Sequence, residues 1–247
     1  MHQTRPDITQ EDTDVPIRPA ATLILARQGR RGPEVLLLER HRRSAFVAGA
    51  HVFPGGALDP ADHAAELHRL CTSPNTSSPA PGDSEALAYR VAAIRESFEE
   101  AGVLLARTAG NALLQPGAGV PAEQLQRYRE ALLQGQLDMS RICHQQAWRL
   151  DTASLYYYSR WVTPPGQNRR YDTRFFVCEA PPGQEGLACQ RETVGQLWLT
   201  PAQAIDLWRR EDIALVLPTA ITLQELADFD SVDALLEMAR HRPPEGH

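Results

Sequence analysis

Nine residues, Arg95-Glu96-Ser97-Phe98-Glu99-Glu100-Ala101-Gly102-Val103, constrain this chain more than any other stretch. Three carboxylates fall within five residues, and a glycine follows two places later. On a helix, Glu96, Glu99 and Glu100 stand at i, i+3 and i+4 and share a face. Like charges so placed cost a helix about 0.2–0.5 kcal/mol per pair. That cost is small enough for a solvated acidic face to carry. The setting is apolar, however, with Ala92, Ala93, Ile94, Phe98, Val103, Leu104 and Leu105 around the acids. A hard cation such as Mg²⁺ takes several oxygen ligands, and clustered carboxylates supply them. On these residues alone, a solvated face and a metal site both stand.

Composition narrows the class. A chain of 247 residues can bury a large core in one domain or two. With 25 basic and 31 acidic side chains the net charge is −6, and no basic patch points to nucleic acid or anionic lipid. Cys71, Cys143, Cys178 and Cys189 are scattered without a C-x-x-C pair, which disfavours a zinc site or disulfide framework. The N-terminal stretch, with Pro6, Asp7, Glu11, Asp12 and Asp14, is wrong for a signal or transit peptide. No apolar run approaches a membrane span. The expectation is a soluble, cytoplasmic protein.

Along the chain, residues 1–17 show no periodicity and read as a mobile arm. Ala20–Ala26 and Val35–Leu38 read as two buried strands joined by a turn at Gly29-Arg30-Arg31-Gly32-Pro33. A basic loop follows with Arg40 and Arg42, and then Phe53-Pro54-Gly55-Gly56. Paired glycines after a proline permit close backbone approach, although an ordinary tight turn has the same composition. Residues 57–83 read as a surface loop insertion. Asp83 or Ser84 caps the helix that carries the acids, predicted to run to about Arg107. Two helices within 118–150 read as packing elements without chemistry of their own, and His144 as structural or exposed. Leu155–Thr163, Arg174–Glu179 and Gly195–Leu199 have strand composition, and Thr200 opens a helix. Residues 201–240 are expected to be C-terminal helices, broken near Asp228-Phe229-Asp230, and 241–247 a tail. Strands alternating with helices favour an α/β or α+β layer architecture.

Taken together, these motifs resemble the Nudix hydrolases, whose box reads G-x5-E-x7-R-E-U-x-E-E-x-G-U with U apolar. Phe53-Pro54-Gly55-Gly56 looks like its opening and Arg95 to Val103 like its close. Arg95 stands 39 positions after Gly56 instead of the box's 14, so 25 residues must be looped out. The box's first glutamate has no clean match: the forward count from Gly56 lands on Asp62 and the backward count from Arg95 on Leu87. Ser97 replaces an apolar residue. These departures put the bracing of the helix against the loop in question, without removing a metal ligand.

The resemblance implies a Nudix-type α/β/α sandwich with a mixed β-sheet over 18–240. It also implies hydrolysis of a nucleoside diphosphate linked to a second group, aided by Mg²⁺ or Mn²⁺. Glu96, Glu99, Glu100 and the Gly55 carbonyl are its implied metal ligands, and Arg95 orients Glu99. Glu192, six residues before Trp198, is the candidate extra ligand or general base, with Glu185 as the fallback. Gly56, Arg40, Arg169, Arg170 and Arg174 are candidates for binding substrate phosphate. Within the family, the chain looks most like the peroxisomal-type coenzyme A and acyl-CoA diphosphatases and their bacterial relatives. Their upstream motif is only partly present: Leu36, Leu37, Arg40, Gly49 and Phe53–Gly56 fit, while Leu38, His41 and Ala45 do not. CoA or acyl-CoA is therefore the first substrate reading. ADP-ribose, NADH or another nucleotide-sugar diphosphate is the second, and a non-catalytic ligand sensor the third. Glu245-Gly246-His247 is no peroxisomal address. Family analogy adds a homodimer.

Overall fold

The computed structural model describes residues 15–41, 48–72, 84–117, 119–186, 189 and 193–242. Much of the expected N-terminal arm and tail, Arg42, Asp83 and Glu192 lie outside the described residues. Eight strands form one mixed sheet: β1 (Ile17–Gly29), β2 (Gly32–Arg40), β3 (Ala50–Val52), β4 (Gly55–Ala57), β5 (Tyr156–Val162), β6 (Arg170–Glu179), β7 (Thr193–Leu199) and β8 (Ala214–Leu215). The helices are α1 (Ala65–Arg69), α2 (Ser84–Glu96), α3 (Ala122–Leu133), α4 (Met139–Gln146), α5 (Pro201–Arg209), α6 (Leu217–Leu226) and α7 (Val232–His241). The sheet runs β8-β3-β2-β1-β6-β5, with β7 also paired to β2 and β4 to β1. β1 and β6 are parallel, whereas β2, β4 and β5 pair antiparallel to their neighbours. This is the α/β layer arrangement expected from the sequence.

Strand periodicity decides what each face of the sheet meets. Leu23, Leu25, Leu36, Leu38, Phe176 and Cys178 point to the α2 side, while Ile24, Ala26, Val35, Leu37, Phe175 and Val177 point to α5–α7. Because both faces are covered, β1 and β2 read as continuous apolar runs instead of alternating ones. α2 is buried at every residue from Ala88 to Ile94. The sheet lies on one side of it. On the other lie Leu67, Cys71, Leu125, Ile142, Cys143, Trp148 and Leu150, contributed by the two insertions.

Residues 57–83 are therefore not all a surface loop. Asp62, Leu67 and Cys71 are buried, and the segment is tied to the second insertion by Thr72 N–H to the Leu150 carbonyl (2.8 Å) and Leu150 N–H to the Leu70 carbonyl (2.8 Å). Composition misled here because Ser, Pro and Gly cluster only in its second half.

A second correction concerns the acidic helix. α-Helical geometry ends at Glu96, widens to a π turn over Ser97–Ala101, and stops at Gly102 with φ of 70°. It does not continue to Arg107, since Ala106–Arg107 pairs instead with Arg149–Leu150. Gly102 N–H bonds to the Phe98 carbonyl (2.9 Å) and Val103 N–H to the Ser97 carbonyl (3.3 Å), a glycine-terminated helix end. Ser97 is buried and donates its hydroxyl to the Val103 carbonyl (2.9 Å), which accounts for a polar residue at an apolar box position.

Candidate active site

The register of β1 brings the glycines to the acids. Thr22 pairs with Gly55 and Ala21 with Gly56, which sets β4 beside the C-terminal end of α2. A Cβ on Gly56 would lie 2.5 Å from Glu96 Oε1, and one on Gly55 would lie 2.5 Å from the Ala21 carbonyl oxygen. At Gly55 the obstacle is backbone, so glycine is demanded there, while at Gly56 a side chain would displace the Glu96 carboxylate. Gly55 N–H donates to Glu100 Oε2 (2.9 Å). Glu100 is buried, while Glu96 and Glu99 keep 12% and 22% of their side chains exposed.

Arg95 stands at the centre of this cluster. Its Nε donates to Asp62 Oδ1 and its Nη2 to Asp62 Oδ2, both at 3.0 Å, and Nη2 also donates to the Ala57 carbonyl (2.9 Å). Nη1 reaches Glu96 Oε1 at 2.7 Å and Glu99 at 3.4 Å. Burial by itself would lower the pKa of this guanidinium. The hydrogen bonds it donates to Asp62 and the charges of Glu96, Asp62 and Glu99 outweigh burial, and the pKa is raised. The sequence reading assigned Arg95 to orienting Glu99, but its bidentate partner is Asp62, which is only 1% exposed.

Asp62 thus restores the bracing that the missing glutamate had put in question. It sits six residues after Gly56, where the box's first acid belongs, and the extra 25 residues fall between Asp62 and Arg95. A reciprocal cap holds it in place: Ala61 N–H bonds to Asp59 Oδ1 and Asp59 N–H to Asp62 Oδ2, both at 2.8 Å. The forward count in the sequence carried the signal.

Three carboxylates at a helix C-terminus are electrostatically unfavourable, because the macrodipole is already negative there and favours cations. The donors are the hard oxygens that a divalent cation takes. Among the described residues, no three His, Cys, Asp or Glu side chains converge closely enough to hold an ion as they stand. Glu96 and Glu99 both turn to Arg95 Nη1. By donor chemistry and by field, the cluster fits a divalent cation, with the guanidinium partly offsetting its charge.

The other candidates are spread out. Arg40 ends β2 on the α2 side of the sheet, in register with Thr193, and its buried Nε meets no acceptor among the described residues. Thr193 in turn donates to the Glu100 carbonyl (3.2 Å), so Arg40 lies toward the acids. Arg174 pairs with Ala21, two strand spacings or about 10 Å from Gly56. It stacks on Tyr89 of α2, 3.9 Å from the ring centre. Arg170 is four residues farther along β6, about 13 Å away, and donates to the Thr163 carbonyl (3.1 Å). Arg169 is exposed. The three arginines do not form one cluster. The Glu185 carboxylate is turned away, paired with Arg27 at 2.7 Å near the β1–β2 turn. A cleft of about 560 Å³ at that turn, lined by Arg27, Arg30, Arg31 and Thr200 among others, shares no residue with the acidic cluster.

The profile of the NUDT19 Nudix domain family matches residues 72–226. The chain belongs to the Nudix hydrolases. This Nudix hydrolase is 33% identical to the acyl-coenzyme A diphosphatase NUDT19 of Gallus gallus over 276 aligned positions, covering 93% of the chain and 73% of the relative. It is also 33% identical to the human protein of that name, covering 87% of the chain and 66% of the relative. The chain thus spans roughly two thirds to three quarters of those two proteins' lengths. A crystal structure of a Nudix hydrolase from Alicyclobacillus acidocaldarius superposes with a TM-score of 0.77 at 29% identity, covering 94% of this chain and all of the other. Membership makes this a pyrophosphohydrolase fold and enzyme class, and Nudix hydrolases work with divalent metal ions.

Proposed function

We propose that this Nudix hydrolase cleaves the pyrophosphate bond of coenzyme A or acyl-CoA, adding water to give 3′,5′-ADP and (acyl-)phosphopantetheine. The observation that carries the substrate is the 33% identity to an acyl-CoA diphosphatase over 93% of the chain, a likeness too long to be confined to the metal box. The carboxylate cluster beside Gly55 and Gly56 supports the reaction type.

Glu96, Glu99 and Glu100, with the Gly55 carbonyl, are the residues that would hold Mg²⁺ or Mn²⁺. Such an ion, when bound, neutralises diphosphate charge and makes a coordinated water more acidic. The chain's own residues do the rest. Asp62 and Arg95 lock α2 to the glycine loop, so that the carboxylates present a fixed surface. Gly56 leaves room for the Glu96 carboxylate, which a side chain there would displace. Arg40, facing the same side of the sheet, offers a cation to a phosphate oxygen. Glu192, one residue before Thr193, the register partner of Arg40, is the candidate extra ligand or base.

The test is incubation with Mg²⁺ or Mn²⁺ and a panel of CoA, acyl-CoAs, ADP-ribose and NADH, with products identified by mass. CoA or an acyl-CoA should be consumed fastest, to the two products named. Faster cleavage of ADP-ribose or NADH would overturn the substrate, and no cleavage of any member would overturn catalysis in favour of a sensor.

A further inference from the structure

The first four N–H and last four carbonyl groups of a helix lack intrahelical partners. At the end of α2 those carbonyls belong to the residues that carry the acids. Phe98 and Ser97 are satisfied locally, by Gly102 N–H and Val103 N–H. Glu99 and Glu100 are satisfied from elsewhere in the chain. Arg129 of α3 donates Nε to the Glu99 carbonyl (3.0 Å) and Nη2 to the Glu100 carbonyl (2.8 Å). Arg129 is 2% exposed, an unusual place for an arginine. Burial lowers its pKa, opposed by charges at Cys189, Glu100 and Glu130. Gly102 makes room for it: a Cβ there would lie 3.0 Å from Arg129 Nη1, in addition to the strain of its positive φ.

The planar guanidinium therefore spans two successive carbonyls with a fork that a lysine cannot reproduce. It places positive charge behind the carboxylates, at the negative end of the helix dipole, while Arg95 stands in front. It also fixes the π turn, and the directions of the Glu99 and Glu100 side chains follow from the backbone of that turn. The helical insertion, read from sequence as inert packing, reaches the carbonyls of Glu99 and Glu100 through Arg129.

We propose that Arg129 is a positioning residue: it holds the Glu99 and Glu100 carboxylates in place through their main-chain carbonyls and so sets the affinity of the site for its divalent cation. The inference rests on the metal assignment above. Groups standing behind metal ligands typically change metal affinity or activity by about 10–100-fold when removed. The experiment uses the full chain with Arg129→Met and Arg129→Lys. Mn²⁺ binding is titrated by the electron paramagnetic resonance signal of the free ion, thermal melting is followed in EDTA, and kcat and KM are measured at saturating metal.

Arg129→Met should weaken Mn²⁺ binding about 10-fold or more and lower kcat, with KM for the substrate within about twofold. Arg129→Lys should fall between the Met variant and wild type, since its ammonium is a single point charge. Wild-type Mn²⁺ affinity in a folded Met variant would overturn the inference. If the Met variant does not fold, wild-type affinity in the Lys variant would do the same, and failure of both to fold would overturn it in favour of a role in the fold as a whole. A wild-type chain that binds no Mn²⁺ would instead overturn the metal site, and this inference with it.

Discussion

Replacing Asp62 with alanine should destabilise the protein more than its position in a Ser- and Pro-rich insertion suggests. The carboxylate accepts two bonds from Arg95 at 3.0 Å and one from Asp59 N–H at 2.8 Å, and it is 1% exposed. Breaking a buried ion pair by removing one partner costs about 3–5 kcal/mol, mostly because the remaining charge is left without compensation. Here Arg95 keeps Glu96 at 2.7 Å and the Ala57 carbonyl at 2.9 Å, which places the loss at the lower end, about 3 kcal/mol. For a chain of this size each kcal/mol lowers the melting temperature by about 2–4 °C, so a fall of about 6–12 °C follows. The assay is thermal unfolding by circular dichroism at low and high salt. The loss should persist at high salt, because a buried pair is poorly screened. Asp62→Asn keeps the volume and isolates the charge, and should lose nearly as much. A fall below about 2 °C in the alanine variant would refute the bracing role that the geometry assigns to Asp62.

Two further outcomes follow from the same geometry. Glu99→Gln and Glu100→Gln should lower turnover by orders of magnitude with near-wild-type melting, since a glutamine at position 100 can still accept from Gly55 N–H; near-wild-type metal-dependent activity in both would remove them from the metal site. Burial pushes the Cys71 and Cys143 thiols from 9.0 up to about 12. Below about pH 9 both states hold the proton, and the stabilisation is fully present. As pH rises from about 9 toward 12, the unfolded thiols ionise first and stability is lost. A Cys71→Ala, Cys143→Ala chain should lose less of its urea midpoint between about pH 8 and 10.5, and an equal loss in wild type and variant would contradict the burial argument.

How much of the site could be read in advance depended on sequence separation. Glu96, Glu99, Glu100 and Arg95 lie within six residues, so local geometry alone brings them together. Gly55 and Gly56 were legible because a paired glycine after proline is a backbone signal. Asp62 was half legible: the forward count reached it, but its burial depended on α1 and Cys71 packing over α2. Arg169, Arg170 and Arg174 looked like a cluster because they are close in sequence. In an extended strand closeness in sequence becomes length, and β6 spreads Arg170 and Arg174 about 13 Å apart.

The sequence by itself determined the longer strands and helices, the α/β layering and the clustering of the acids at the end of α2. Those follow from periodicity and from residues within a turn or two of one another. Only the tertiary structure decided that the acidic helix ends in a π turn, that the insertion carries a buried aspartate, and that Arg129 closes the helix from 29 residues away. A buried polar group must find its partner in space, and main-chain carbonyls at a helix end have no side-chain identity for a sequence pattern to record.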